Sequence, residues 1–386
     1  MQTQTLDRFV DEEQAIGSMV EPTRPVLASA GGVFVAMIVC LGLWGLLAAP
    51  VLERNAAAGP IGTRRTAALA ILRPLSNVSD ALRLSGATNA VERALGRNPG
   101  APPGGELVLP DLDLPPEILD PTPTGPAPVS PVPVNDPEPP AEPTQGPNAD
   151  GGEQAQPAEP SGIRVPTSSN KLRVAVIGDS LAQGLGPAIE RWMDPEVVRV
   201  LSLGRISTGL SRQDYFNWQA GMRQIVEEFR PDLVFVMLGS NDAQAQIARD
   251  GSEIPVGSLE WVEGYRERAA GLLHEATQAG TRVVWVGIPV VEERHRWAFY
   301  RRVNEIYRDT ARSDALGTYV DAWSAFEAKD GGYAAYLRNE RGLLQEMRAS
   351  DGIHFTPTGY AQLGRLAIRE AAESFGLPRQ AVLFRI

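Results

Sequence analysis

Leu172-Arg173-Val174-Ala175-Val176-Ile177-Gly178-Asp179-Ser180-Leu181 joins an apolar run rich in β-branched residues to a Gly-Asp-Ser corner. Such a run reads as a buried strand of a parallel sheet, and Leu181 to Met193 after it reads as a helix. Ser180 then stands at a strand-to-helix turn. There its hydroxyl projects from the carboxyl edge of the sheet, and the free N–H groups of the first helical turn can receive a developing negative charge. Taken alone, Gly-Asp-Ser also suits an ordinary capped helix start.

Two further segments follow in order. Asp232-Leu233-Val234-Phe235-Val236-Met237-Leu238 is a second unbroken apolar strand, and Gly239-Ser240-Asn241-Asp242 comes directly after it. Asn241 therefore also falls at the carboxyl edge. A side-chain amide aimed at a tetrahedral intermediate typically contributes about 3–4 kcal/mol, as a neutral donor that Asp cannot replace. The third segment is Asp351-Gly352-Ile353-His354. A serine hydroxyl needs a base near neutral pH, and the chain has three histidines. His274 lies in a helix-like stretch that suits a solvated surface. His295 lies in a charged loop with Glu292, Glu293, Arg294 and Arg296. His354 has a carboxylate, Asp351, three residues before it, across a Gly-containing turn. That spacing lets Asp351 accept from one ring nitrogen while the other faces Ser180, the arrangement of nucleophile, base and orienter. The same residues also suit an Asp-Gly turn leading to a helix cap at Thr356 and Pro357.

Further strands are expected at Val197 to Leu201, Arg282 to Gly287 and near Thr318 to Val320, separated by helix-like stretches. The pattern predicts a three-layer α/β/α sandwich with a five-stranded parallel sheet. Ligands of such sheets bind beyond the carboxyl ends of the strands, where Ser180, Asn241 and the Asp351 to His354 turn converge.

The ordered set of segments resembles the SGNH/GDSL hydrolase superfamily over roughly residues 170 to 380. The resemblance implies a flavodoxin-like fold and an oxyanion hole made by the Ser180 N–H, the Asn241 amide and a glycine N–H from the loop after the second strand. In Leu203-Gly204-Arg205-Ile206-Ser207-Thr208-Gly209-Leu210-Ser211 both Gly204 and Gly209 can serve, and the spacing departs from the commoner Gly-x-Ser-Gly. Gly209, after Ile206-Ser207, fits the family better. The segment from Arg205 to Arg212 and the anchored, proline-linked layout further resemble a bacterial envelope subgroup of unknown function.

Outside the hydrolase-like region (170–386), the chain opens with a short acidic tail (1–25). Val26 to Leu52 then carries no charge between Arg24 and Glu53. Roughly 20 apolar residues span a bilayer, and the apolar region of a cleaved signal peptide is only about 7–15 residues, so an uncleaved anchor at 26–52 is expected. Residues 53–97 show helical periodicity and read as a juxtamembrane helical segment. Residues 98–169 are dominated by Pro, Gly, Ala, Glu and Asp and read as a disordered, partly polyproline spacer. Arg8 and Arg24 against Arg54, Arg64 and Arg65 favour an outside amino terminus, yet long domains translocate largely regardless of charge. The resemblance implies an enzyme outside the cytoplasm. The expectation is therefore a single-pass protein of the bacterial inner membrane with its catalytic domain in the periplasm.

The formal charge of −11 argues against a nucleic-acid partner, and the one cysteine, Cys40, lies in the apolar stretch. Neither a metal cluster nor a cofactor is expected. The expected chemistry is serine acyl transfer that removes O-acyl groups, O-acetyl first, from an envelope glycan. Arg205, Arg212, Arg294 and His295 are candidate substrate contacts, with surface ion pairs as the plainer role of the arginines. Two other readings stay open: an O-acyltransferase working with envelope polysaccharide machinery, and a non-catalytic glycan-binding or scaffold protein on the same fold.

Overall fold

The computed structural model of the chain describes residues 30–59, 62–82, 84, 107, 109–110, 162–339 and 342–385. The expected acidic tail and most of the proline-rich spacer lie outside the described residues. Contacts divide the chain into two units, Met1–Glu53 with Ala68–Val91, and Arg54–Ala67 with Glu92–Ile386.

The first unit holds all of helix α1 (Ala30–Ala58) except Arg54–Ala58. Phe34, Val35, Leu41 and Trp44 of α1 are exposed. A helix that is apolar all round suits a lipid surround or a large core, and Gly31–Ala58 is long and apolar enough to cross a membrane; a signal sequence passes the same test. A second helix, α2, spans Thr63–Ala81.

The second unit contains five parallel strands in the order β2-β1-β3-β6-β7: β1 Leu172–Gly178, β2 Val198–Gly204, β3 Leu233–Met237, β6 Arg282–Val286 and β7 Gly317–Val320. β1, β3 and β6 follow from apolar runs, whereas β2 is interrupted by Arg199 and Ser202 and β7 is only Gly317-Thr318-Tyr319-Val320. The register sets Gly178 opposite both Gly204 and Met237, which aligns the carboxyl ends of the first three strands. Helices α3 (Ser180–Trp192), α4 (Trp218–Glu228), α5 (Leu259–Thr277), α6 (Trp297–Arg312), α7 (Ala322–Phe326) and α8 (Pro357–Phe375) complete the layers. Two short antiparallel ribbons, β4 Gln246–Ile247 with β5 Glu253–Ile254 and β8 Tyr336–Arg338 with β9 Leu344–Glu346, decorate the loops.

Val174, Val176, Leu181, Leu185, Phe235 and Leu363 are all fully buried in one apolar cluster. Side chains of this kind contribute about 1.5–3 kcal/mol each on burial, enough to hold the strand ends in place. Gly178 shows how closely they approach. A Cβ there would come within 1.8 Å of the Met237 carbonyl oxygen, at a φ of +145°. Without it, the Asp179 N–H donates to that oxygen at 3.1 Å, and the chain turns straight from β1 into α3.

Candidate active site

Ser180 is the first residue of α3, with Asp179 as the helix cap. The Asp179 carboxylate accepts from the Leu181 N–H at 2.9 Å, and from the Ser240 N–H and hydroxyl at 3.0 and 2.7 Å. It therefore joins the turn after β1 to the turn after β3. Burial raises its pKa to about 6, against the opposing effect of these hydrogen bonds.

His354 brings Nε2 to 2.8 Å from the Ser180 hydroxyl, and its Nδ1 lies 2.6 Å from Asp351. With the Nδ1 proton on the carboxylate side, Nε2 is left as the acceptor facing the serine. Asp351 also accepts the Ile353 and His354 N–H groups, each at 2.9 Å, closing a tight turn on itself. Burial opposes the Asp351 charge, but the His354 ring and these two N–H groups outweigh it and draw the pKa down to about 2. The helix-cap reading holds as well: Thr356 caps α8 with Pro357 as its first residue.

The turn hangs on Arg348, which is 1% exposed. Its guanidinium donates to the carbonyls of Val290 at 2.7 Å, Ile353 at 2.5 Å and Gly352 at 3.4 Å. It also stacks over Phe355 at 4.5 Å. Burial lowers its pKa to about 10.

On the other side of the site, the Asn241 amide donates to the Thr208 carbonyl at 3.0 Å. Asp242 is completely buried and binds the same loop from behind, accepting from the Leu210 and Ser211 N–H groups at 2.9 and 2.8 Å and from Tyr265 at 2.7 Å. Tyr265 in turn meets the Tyr307 hydroxyl at 2.5 Å. Burial raises the pKa of Asp242, and those of both tyrosines rise well above their usual value.

Both candidate glycine donors have a packing reason to be glycine. A Cβ on Gly209 would lie 2.1 Å from an Asp242 carboxylate oxygen, and one on Gly204 would lie 2.5 Å from the Gln183 nitrogen. The left-handed conformation in this loop belongs instead to Ser207, at φ 60°. Ser207, Ser240, Asn241, Gln244 and Arg296 line an open cleft of about 380 Å³.

The arginines correct the sequence reading. Arg205 is 9% exposed and lies over the Phe216 ring at 3.9 Å, with its pKa lowered to about 10 by burial. Arg212 is 2% exposed and grips Asp214 through two bonds of 2.8 Å. Neither is placed to meet a substrate, because both are committed to the interior. Arg294 is exposed above Trp297 at 5.5 Å, and His295 is exposed beside Glu293 at 3.7 Å. Neither lines the cleft; their neighbour Arg296 does. His274 is exposed on α5, as its sequence context suggests. Among the described residues no group of three or more His, Cys, Asp or Glu is arranged to hold a metal.

Comparison with known proteins finds no match among the curated ones. Solved structures similar to this chain include an alpha/beta hydrolase enzyme from the metagenome of Lake Arreo, Spain, at 18% identity and a TM-score of 0.38, covering 53% of this chain and 96% of that one. A catalytic mutant of an acetylxylan esterase from Geobacillus stearothermophilus is 16% identical at a TM-score of 0.36, covering 52% and 94%. A GDSL-like lipase from Bacteroides thetaiotaomicron is 16% identical at a TM-score of 0.35, covering 52% and 88%. A family model described as "Protein of unknown function (DUF459)" matches residues 173–370, the span that holds the Ser180, Asn241 and His354 segments. The chain belongs to this SGNH-hydrolase-like DUF459 family.

Proposed function

We propose that the protein is a serine esterase that removes O-acyl groups, O-acetyl first, from a glycan of the bacterial envelope. The observation that carries the reading is the continuous hydrogen-bonded line from Ser180 through His354 to Asp351, at 2.8 and 2.6 Å. His354 Nε2 takes the Ser180 proton as the oxygen attacks the ester carbonyl. The oxyanion is received by the Ser180 N–H, the Asn241 amide and a backbone N–H of the Ser207–Gly209 loop, with Gly209 the donor the family pattern favours. His354 hands the Ser180 proton to the departing alcohol; water then attacks the acyl-serine, giving a proton to His354, which returns it to Ser180 Oγ as the carboxylic acid leaves. Asp351 keeps the imidazole in the required tautomer throughout.

We further propose that α1 anchors the chain in the inner membrane, with the catalytic unit on the periplasmic side. The length and apolar composition of Gly31–Ala58 support the anchor. The hydrolase reading is tested by nitrophenyl acetate hydrolysis with the full chain in detergent micelles, wild type beside Ser180→Ala. Removing a nucleophile of this kind costs about 10⁶-fold in kcat. Hydrolysis that survives the substitution overturns the reading.

A further inference from the structure

The turn at the end of α1 belongs by its contacts to the catalytic unit, because Arg54–Ala67 groups with residues 92–386. Arg212 holds it there. Its guanidinium donates to the Gly59 carbonyl at 3.1 Å and the Ala57 carbonyl at 3.4 Å, and Arg65 adds a bond to the Ala57 oxygen at 3.2 Å. These are carbonyls that a helix end leaves unpaired, and a cation is the partner the helix dipole favours there. Ala57 is consequently only 2% exposed.

The same arginine connects to Asn241 through one intervening side chain. Arg212 donates to the Gln244 side-chain oxygen at 3.1 Å, and the Gln244 amide donates to the Asn241 carbonyl at 2.7 Å. One guanidinium therefore links the 57–59 turn to the backbone of the residue that carries the oxyanion amide. Asn55, Ala58 and Gly59 form the wall of the cleft facing Ser207, Ser240 and Asn241.

We propose that this cleft binds the alcohol side of the ester, a hydroxylated sugar ring, and that Asn55–Gly59 is a necessary wall of the substrate site. The proposal rests on the esterase reading and adds where the glycan's sugar ring is held. The lining argues for a sugar over a long acyl chain. Every side chain in it is either polar or no larger than alanine, and no long aliphatic or aromatic residue is present to receive a hydrocarbon tail. The volume of about 380 Å³ falls near the small end of the ~300–1,000 Å³ range of small-molecule sites. The Asn55 side-chain amide has no partner among the described residues, so both its donors and its acceptor are available to ring hydroxyls.

The test uses the full chain in detergent micelles, with Ser180→Ala as the background so that substrate survives. The probe is O-acetylated xylotetraose, read by titration calorimetry. Ala58→Trp, which fills the cleft, is expected to weaken binding at least ten-fold, and Asn55→Ala about three-fold. Asn55→Ala leaves the packing of the turn in place, so it carries the test should Ala58→Trp fail to fold. Equal affinity in the Asn55→Ala chain and in a folded Ala58→Trp chain overturns the proposal. So does failure of the background chain to bind the tetraose, or a loss confined to nitrophenyl decanoate, which would assign the cleft to an acyl chain. If the wild type binds but does not hydrolyse the acetylated tetraose, while Ala58→Trp still abolishes binding, the esterase reading falls and the cleft assignment stands.

Discussion

Asp351 and Asp179 both serve Ser180, one through His354 and the other through the turn that carries the serine, yet their surroundings drive them apart. Asp351 is half-exposed on a turn outside the sheet, and hydrogen bonds from the His354 ring and two N–H groups bring its pKa to about 2 despite partial burial. Asp179 is sealed at the end of β1, and burial takes its pKa to about 6 although it accepts three hydrogen bonds. Among the described residues Asp179 faces no cation, whereas Asp351 faces the imidazole that becomes cationic in the proposed reaction. Two carboxylates with separated pKa values are the usual sign of separated roles. In the proposed reaction Asp351 would stabilise the charge that forms on His354, while Asp179 holds the geometry of the Ser180 and Ser240 turns.

The largest break in this contrast comes from Asp351→Asn. It keeps the shape of the turn but offers His354 the wrong partner, and kcat is expected to fall by about 10²- to 10⁴-fold, below the full loss known for enclosed triads because water reaches this carboxylate. Steady-state kinetics on nitrophenyl acetate reads it directly. Next in size, Asn241→Ala removes a donor from the oxyanion side and is expected to lower kcat by about 10²- to 10³-fold with KM little changed. A rise in KM alone would instead make Asn241 a binding group.

The smallest effect concerns Asp179 and stability. A folded-state pKa near 6 lies above the ordinary carboxyl value, so the folded chain holds the extra proton between about pH 4 and pH 6. Stability from this group is therefore fully present below about pH 4 and is lost as pH rises through 6, on the order of 2–3 kcal/mol. Chemical denaturation of wild type and Asp179→Asn across that window should show the difference between the two curves changing with pH. Parallel curves would mean that Asp179 titrates normally.

The parts of this architecture written in short stretches are legible in the residues themselves. Apolar runs mark β1, β3 and β6 most plainly, and the three-residue spacing of Asp351 and His354 marks a turn that closes on its own N–H groups. What escapes such a reading is held by distant partners. Asp242 reads locally as a turn former, but its carboxylate fixes Leu210 and Ser211 some thirty residues earlier. Arg348 supports the His354 turn by reaching Val290, and no local pattern marks that carbonyl. Arg205 and Arg212 resemble solvent-facing charges because a loop sequence does not show that Phe216 and Asp214 will fold over them. The same limit hides the 55–59 turn, whose partner Arg212 lies more than 150 residues away.

In the proposed mechanism Ser180 is a nucleophile made reactive by His354. The most direct measurement treats the full chain in detergent with a fluorophosphonate and locates the adduct by peptide mass spectrometry. A single adduct on the peptide that contains Ser180, absent from a folded His354→Ala variant, is the predicted result. A folded wild-type chain that remains unlabelled at Ser180, or an adduct that forms equally without His354, would contradict it.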